Sequence, residues 1–322
     1  MTTRARFLAA ASAASTVAAF PAIVLAQSPK TLNVGYVPST LFAPLFVATE
    51  RGYLKDAGFT VNVNSIVAGQ DSMALAAQGQ LDLVAAGVSG AFFNAVNRGL
   101  EVKFVASTGY QPHKGHPSAL MIRQDLYEAG EHDASTLKGK KVGWIGGAGA
   151  TSQYYIARIL RKFNLSLRDI DGTNIANPDQ EVALARHAVD AMFTSSPFTD
   201  IFQEKKLARI IGAAPAGISA TGIFFGPSLL RNPENARAVM SALRRAASEI
   251  AGAGYYAPEN LAAYVKYTKQ PMEMVKAADR YDFKPDLRID QGTLQDMQSV
   301  FVDQGILTYK TPLNEVRLVA RF

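Results

Sequence analysis

From Thr31 onward, strand-like and helix-like segments alternate twice over, and few folds accommodate such a chain. "TLNVGY" reads as a strand, "FAPLFVATERGYL" as a helix, "FTVNVNSIV" as a strand of period two, and "QDSMALAAQG" as a helix closed by Gly79. "LDLVAAG", "GAFFNAVNRG" and "EVKFVAST" continue as strand, helix, strand. A second series starts near Ser118 with the strands "SALMIR" and "KVGWIG" and continues through "TSQYYIARILRKF", "PDQEVALARHA", "VDAMFTS", "PFTDIFQEKK", "LARIIGAA" and "ATGIFFG". Alternation of this kind predicts a parallel α/β sheet. From Pro227 the pattern is mostly helical, with Asn232 before Pro233 and Ala257 before Pro258 as helix starts.

The two series echo each other. "LAAQGQLDLVAA" from Leu75 and "ALARHAVDAMFT" from Ala183 each give a helix end, a turn, an aspartate and an apolar strand, with Asp82 and Asp190 in register. Two similar lobes follow. Gly79 suits the left-handed helix cap of the first copy, whereas His187 stands at that place in the second and fits it less well.

The N-terminal stretch places Arg4 and Arg6 before an Ala-rich apolar run broken by Pro21, then small residues ending at Ala26. This pattern predicts a secretory signal peptide cleaved after Ala26 and a periplasmic location. Ala5 splits the arginine pair, which leaves the twin-arginine route open but unsupported. The chain has no cysteine, so it forms neither a disulfide nor a lipid-anchored N-terminus, and after Gln27 no apolar run is long enough to span a bilayer. The net charge is +6 over 322 residues, of which Arg4 and Arg6 carry two. That mild balance, with basic density only in "SALRRAASE", reads as a solvated helix face and excludes nucleic acid as the partner.

"KVGWIGGAGATSQYY" runs from a strand through a glycine-rich turn into a helix, a design that holds phosphate in nucleotide-binding proteins. Gly147, Gly149 and Ser152 give G-x-G-x-x-S, without the third glycine, and no lysine follows the turn as a Walker loop requires. A nucleotide is therefore not expected. Free N–H groups at a helix start, with the hydroxyls of Thr151 and Ser152, still suit a compact anionic or polar group. Either hydroxyl can equally serve as a helix cap.

With "GYVPSTLFAPLFVATERGYLKDAGFTVNV", "ALAAQGQLDLVAAG", "LKGKKVGWIGGAGATSQYYI" and "VDAMFTSSPFT", nearly the whole mature chain resembles the nitrate/sulfonate/taurine family of ABC-importer substrate-binding proteins, which also includes thiamine-pyrimidine and riboflavin binders. The resemblance implies an α/β type II periplasmic binding fold, two α/β lobes joined by a two-strand hinge. Lobe 1 would comprise residues 27–115 and 225–322, lobe 2 residues 116–224, with residues 1–26 removed. The first crossing would follow "GYQPHKGHPSAL", and the second would lie near Ala220 to Phe225.

In such a fold, ligands meet the loops at the carboxyl ends of strands. Lobe 1 then offers Tyr36, Ser39, Thr40, Phe42, Gln70, Gly87 and Ser89. Lobe 2 offers Ala150, Thr151, Ser152, Gln153, Ser195 and Ser196, and Tyr110 from the hinge could stack on a ring, as could Tyr154. Phe42 and Phe198 suit either a core or a platform, Asp71 suits a helix cap, and Lys114 could reach an anion. His113 and His116 have no acid or cysteine to complete a metal site, so no metal and no cofactor are expected. No G-x-S-x-G, H-E-x-x-H or cysteine nucleophile is present, and the reading is a binding protein, not an enzyme. The implied function is delivery of a small organic anion, sulfonate or carboxylate, to an ABC permease by a monomeric receptor. A neutral heterocycle, pyrimidine or flavin, is the alternative ligand, and a sensor co-receptor the alternative role.

Overall fold

A computed structural model of the chain describes residues 30–66 and 69–322. The export segment and its cleavage site lie outside the described residues, as do the side chains of Gln70 and Asp71. Sheet one is built from β1 (Lys30–Tyr36), β2 (Phe59–Ser65), β3 (Leu83–Gly87), β4 (Lys103–Thr108) and β10 (Thr221–Phe225), in the order β2-β1-β3-β10-β4. Sheet two contains β5 (Ser118–Arg123), β6 (Lys141–Trp144), β7 (Asp171–Asn174), β8 (Ala191–Ser195) and β9 (Ala208–Ala213), ordered β7-β6-β8-β5-β9. Each sheet thus carries one antiparallel strand, β10 or β5, which is the first strand laid down after the chain crosses between lobes.

The helices that connect and cover these strands are α1 (Ala43–Glu50), α2 (Tyr53–Asp56), α3 (Gly69–Ala77) and α4 (Gly90–Asn97) in the first lobe. In the second they are α5 (Gln124–Glu128), α6 (Thr151–Arg161), α7 (Asn177–Ala185) and α8 (Phe198–Glu204). The C-terminal part adds α9 (Pro227–Leu230), α10 (Pro233–Ile250), α11 (Pro258–Thr268), α12 (Met272–Ala277), α13 (Gln291–Asp303) and α14 (Glu315–Leu318). Asn232 caps α10 by accepting from the Asn235 N–H at 3.0 Å, with Pro233 in the first turn where its missing N–H costs nothing. Two basic residues of α10 are engaged: Arg245 lies 3.8 Å over the Tyr53 ring, and Arg244 donates to the Phe322 carbonyl at 2.8 Å.

The sequence echo has a structural counterpart in each sheet. The Asp82 carboxylate accepts from the Asn33 N–H at 2.7 Å, and the Asp82 N–H donates to the Asn33 carbonyl at 2.8 Å. Asp190 does the same with Lys141, at 2.9 and 2.8 Å, so each aspartate clips its strand to the neighbouring one. His187 adopts the left-handed backbone (φ 55) that Gly79 takes in the first copy (φ 75). The helix-ending geometry is retained there despite the strain a Cβ brings.

The second crossing lies earlier than expected. Thr221–Phe225 is a central strand of sheet one, so residues 214–220 make the crossing, and they pair with the first through Gln111 N–H to the Ile218 carbonyl (2.9 Å) and Gly217 N–H to the Gln111 carbonyl (2.8 Å). A third segment backs both. Tyr110 and Asp282 exchange backbone hydrogen bonds at 2.8 and 2.9 Å, the Asp290 carboxylate accepts from the Ser219 N–H at 3.0 Å, and Asp279 accepts from the His116 N–H at 2.7 Å.

The C-terminal part also reaches the second lobe. Asp296 on α13 accepts from the Tyr154 hydroxyl at 2.8 Å and pairs with Arg158 (2.5 Å) and Arg161 (3.4 Å) on α6. Burial opposes the Asp296 charge, but bonds from Tyr154 and Arg158 outweigh it and hold its carboxyl below the ordinary value of 3.8. A depressed carboxyl stabilises the folded state above the unfolded pKa, and that contribution disappears as pH falls through the folded one. Melting temperatures of the wild type and Asp296→Asn, measured from neutral pH to about pH 3, should therefore converge on acidification, with the wild type the more stable above about pH 4. Parallel curves would remove this assignment.

Candidate ligand-binding cleft

Between the lobes lies a cavity of about 480 Å³. It is bounded by loops at the carboxyl ends of β1, β3, β6 and β8 and walled on one side by α12. Ser39, Thr40, Phe42, Gly87 and Ser89 line it from the first lobe, and Ala150, Thr151, Ser152, Ser195 and Ser196 from the second, together with Phe198. Among the described lining residues none carries a charged side chain.

The glycine turn is held by the chain itself. Trp144 Nε1 donates to the Gly147 carbonyl at 3.0 Å, the Gly146 N–H donates to Asn174 Oδ1 at 2.9 Å, and the Ser152 hydroxyl donates to the Ile145 carbonyl at 2.8 Å. Gly146, Gly147 and Gly149 all have positive φ (100, 67 and 77), which a side chain would resist. No side chain caps α6 at Ala150, so the first N–H groups of Thr151 and Ser152 keep no intrahelical partner and the positive end of the helix faces the cavity.

Thr151 also ties the lobes together. Its hydroxyl donates to the Val88 carbonyl at 2.8 Å, and beside it the Gly90 N–H donates to the Gly149 carbonyl at 2.9 Å. The loop whose pattern suggested a phosphate cradle therefore forms one lip of a closed cleft. Gly87 makes that approach possible, because a Cβ there would lie 2.1 Å from Thr151 Oγ1.

Four expected site residues lie elsewhere. Tyr36 is buried between Phe46 and Tyr267, at 5.4 and 5.3 Å between ring centroids, since its strand position faces the helical layer. Tyr110 donates to the Arg288 carbonyl at 2.8 Å and is part of the hinge packing. Gln153 turns back to accept from the Gly149 N–H at 2.6 Å, so it shapes the turn. Tyr154 is buried and bonded to Asp296, one position from the residue that does reach the cleft. Lys114 and His113 border a separate concavity with Asp279 and Asp282, on the hinge.

That neighbouring residue is Tyr155, which lines the cavity parallel to Phe193 at 5.8 Å and 20°. Its hydroxyl accepts from the Ala220 N–H (3.2 Å) and Gln111 Nε2 (3.4 Å), and burial pushes its pKa up to about 12. The sequence reading also missed Ser118, Thr221 and the wall of Gln270, Met274, Val275 and Ala278. Behind Ser196 sits Asp200, half-buried, accepting the Ser196 hydroxyl at 3.1 Å. Burial raises its carboxyl pKa, the bond from Ser196 lowers it, and Asp279 nearby raises it further.

A family model described as NMT1/THI5-like matches residues 39–253, more than half of the 322. The chain belongs to the NMT1/THI5-like family. Its two-lobed α/β fold matches those of solved periplasmic binding proteins. The alkanesulfonate-binding protein SsuA from Xanthomonas axonopodis pv. citri, bound to MOPS, superposes with a TM-score of 0.72 at 17% identity, over 92% of this chain and 99% of that one. The periplasmic nitrate-binding protein NrtA from Synechocystis PCC 6803 gives 0.67 at 14%, over 88% and 83%. The desulfurization enzyme DszB gives 0.62 at 14%, over 91% and 96%. No curated protein sequence matches the chain. Among the described residues no helix is long and apolar enough to cross a membrane.

Proposed function

We propose that the protein is the solute receptor of an ABC importer, exported to the periplasm with cleavage after Ala26 and working as a monomer. It captures a small organic anion, sulfonate or carboxylate, between its lobes and presents it to a membrane permease. The observation that carries this reading is the cavity enclosed between two lobes whose lips are bonded through Thr151 and Gly149. A ligand touching both lobes shifts an open and closed equilibrium by its extra contacts in the closed form.

The α6 N-terminus supports an anionic head, held by N–H groups and hydroxyls without a cation. A sulfonate or carboxylate with one dispersed charge fits such a place better than a phosphate dianion. The aromatic lining of Phe42, Tyr155, Phe193 and Phe198 supports an apolar ligand body, and it is also what favours the second reading, a neutral heterocycle.

Native mass spectrometry of the purified protein should show a co-purified small molecule, and calorimetry with short alkanesulfonates, benzenesulfonate and benzoate should find a binder. Thr151→Ala combined with Ser152→Ala should weaken that binding about tenfold or more, through a lost lobe-to-lobe bond and a loosened turn. An unchanged affinity would sink this placement of the ligand.

A further inference from the structure

The hydroxyls of this cavity can be sorted by where their single protons go. Tyr281 donates to the Pro117 carbonyl at 3.0 Å, so in its 3.1 Å contact with Ser118 it must accept. Ser118 has then spent its proton, and in the 3.2 Å contact between Ser118 and Ser195 the donor must be Ser195. Ser118 also accepts from Gln111 Nε2 at 3.2 Å, which agrees with that direction. Ser196 donates to the Asp200 carboxylate at 3.1 Å, so in its 3.1 Å contact with Thr199 it accepts, which leaves it one lone pair facing the cavity. Ser195 and Ser196, side by side on the cavity wall, therefore have only lone pairs left to offer.

The neighbouring patch has the opposite polarity. At the start of α6 the uncapped N–H groups are donors, and Ser39, which accepts from the Leu41 N–H at 3.3 Å, keeps its proton. Ser89 lines the same cavity, is 3% exposed, and its hydroxyl has no partner among the described residues. A buried hydroxyl without a partner is a cost that a ligand atom removes. The strands leading to the two patches, β6 and β8, are adjacent in sheet two, about 4.8 Å apart.

Resting on the solute-receptor reading, we propose that the ligand has two poles: an acceptor head held at the start of α6, and a hydroxyl or amino donor held by Ser195 and Ser196. Asp200 is the positioning residue that fixes Ser196 as an acceptor. It lies four residues after Ser196, in the first turn of α8, and it keeps the Ser196 proton turned away from the ligand. A ligand with an ether or methyl group at that pole leaves both lone-pair sets without a donor.

The test is calorimetry on the full mature chain with benzoate, meta- and para-hydroxybenzoate and para-methoxybenzoate, and with the matching benzenesulfonates. At least one hydroxylated probe should bind about tenfold or more tightly than its methoxy counterpart. In Asp200→Leu no carboxylate remains to take the Ser196 proton, which is then free to turn toward the cavity. The hydroxyl preference, a ratio of two affinities within one variant, should then fall severalfold with Ser195 keeping the remainder, and circular dichroism of the unliganded variant matching wild type separates a polarity effect from damage to the fold. Ser196→Ala should lower the preference without reversing it. Probes that bind without any hydroxyl preference would overturn this inference and leave the receptor reading standing. Failure of every probe to bind would overturn both the anionic ligand class and the two-pole proposal.

Discussion

Gly87→Ala is expected to leave the protein folded but unable to close. The added methyl carbon would stand 2.1 Å from Thr151 Oγ1 and 3.1 Å from Thr151 Cβ, and Thr151 belongs to the opposite lobe. Strain inside one lobe would have to be absorbed locally, but strain between lobes is relieved by separating them. The cost of overpacking, about 1–3 kcal/mol, therefore falls on the closed form, together with about 1 kcal/mol for the lost bond to the Val88 carbonyl. Ligand affinity should drop roughly a hundredfold by calorimetry, and small-angle scattering should show no contraction on adding ligand. Adding Thr151→Gly removes the side chain the methyl group meets, and should recover part of the loss. Wild-type affinity in the single variant would show that these lips do not have to meet.

Gly222→Ala tests a different kind of glycine. It lies in β10, between β3 and β4, where a Cβ would come within 1.9 Å of the Ala106 carbonyl oxygen and 2.5 Å of the Phe104 ring. The first obstacle is backbone of the same sheet, which no side-chain rotation relieves. The pairing with β4 already shifts register between Ile223 and Phe224, so the strands have adapted to this close approach. A loss of about 3 kcal/mol or more is expected, roughly 6–12 °C in melting temperature by scanning calorimetry. Unlike Gly87→Ala, the variant should lose stability with or without ligand.

Both glycines carry a lesson about what the order of residues makes legible. The β-α alternation, the two-lobed plan and the correspondence of Asp82 and Asp190 could all be read directly, because they depend on periodicity and on repeated local pattern. The edge strand β2 illustrates this: its period-two pattern is that of a strand with one face toward solvent. The steric demand at Gly87 could not be read, because it arises from Thr151 arriving from the other lobe.

Tyrosines were the least legible residues. Tyr154 and Tyr155 are adjacent on one helix, and a rotation of about 100° decides which is bonded to α13 and which faces the cleft. Tyr36 and Tyr110 stand near strand ends, where a ligand is plausible, yet one faces a helix layer and the other a hinge. The α12 wall of the cavity was hidden for another reason. It comes from more than 70 residues beyond Ser196, and nothing in a local pattern says where a C-terminal helix returns. Asp200 did leave a trace, since a serine at a strand end followed four residues later by an acid marks a carboxylate able to orient that hydroxyl.

The placement of Asp296 has a consequence for the order in which the molecule becomes competent during its synthesis. The first lobe's sheet waits for β10, and the bond network joining α6 to the C-terminal part waits for α13. Ile306, which packs onto Gly90 and Gly149 at the meeting point of the lips, comes later still. A ribosome that has made residues 1–290 has supplied both sheets and every hydroxyl of the cavity, yet not the brace that steadies the cleft when shut. In this chain the residues that line the cleft are complete before the ones that brace it.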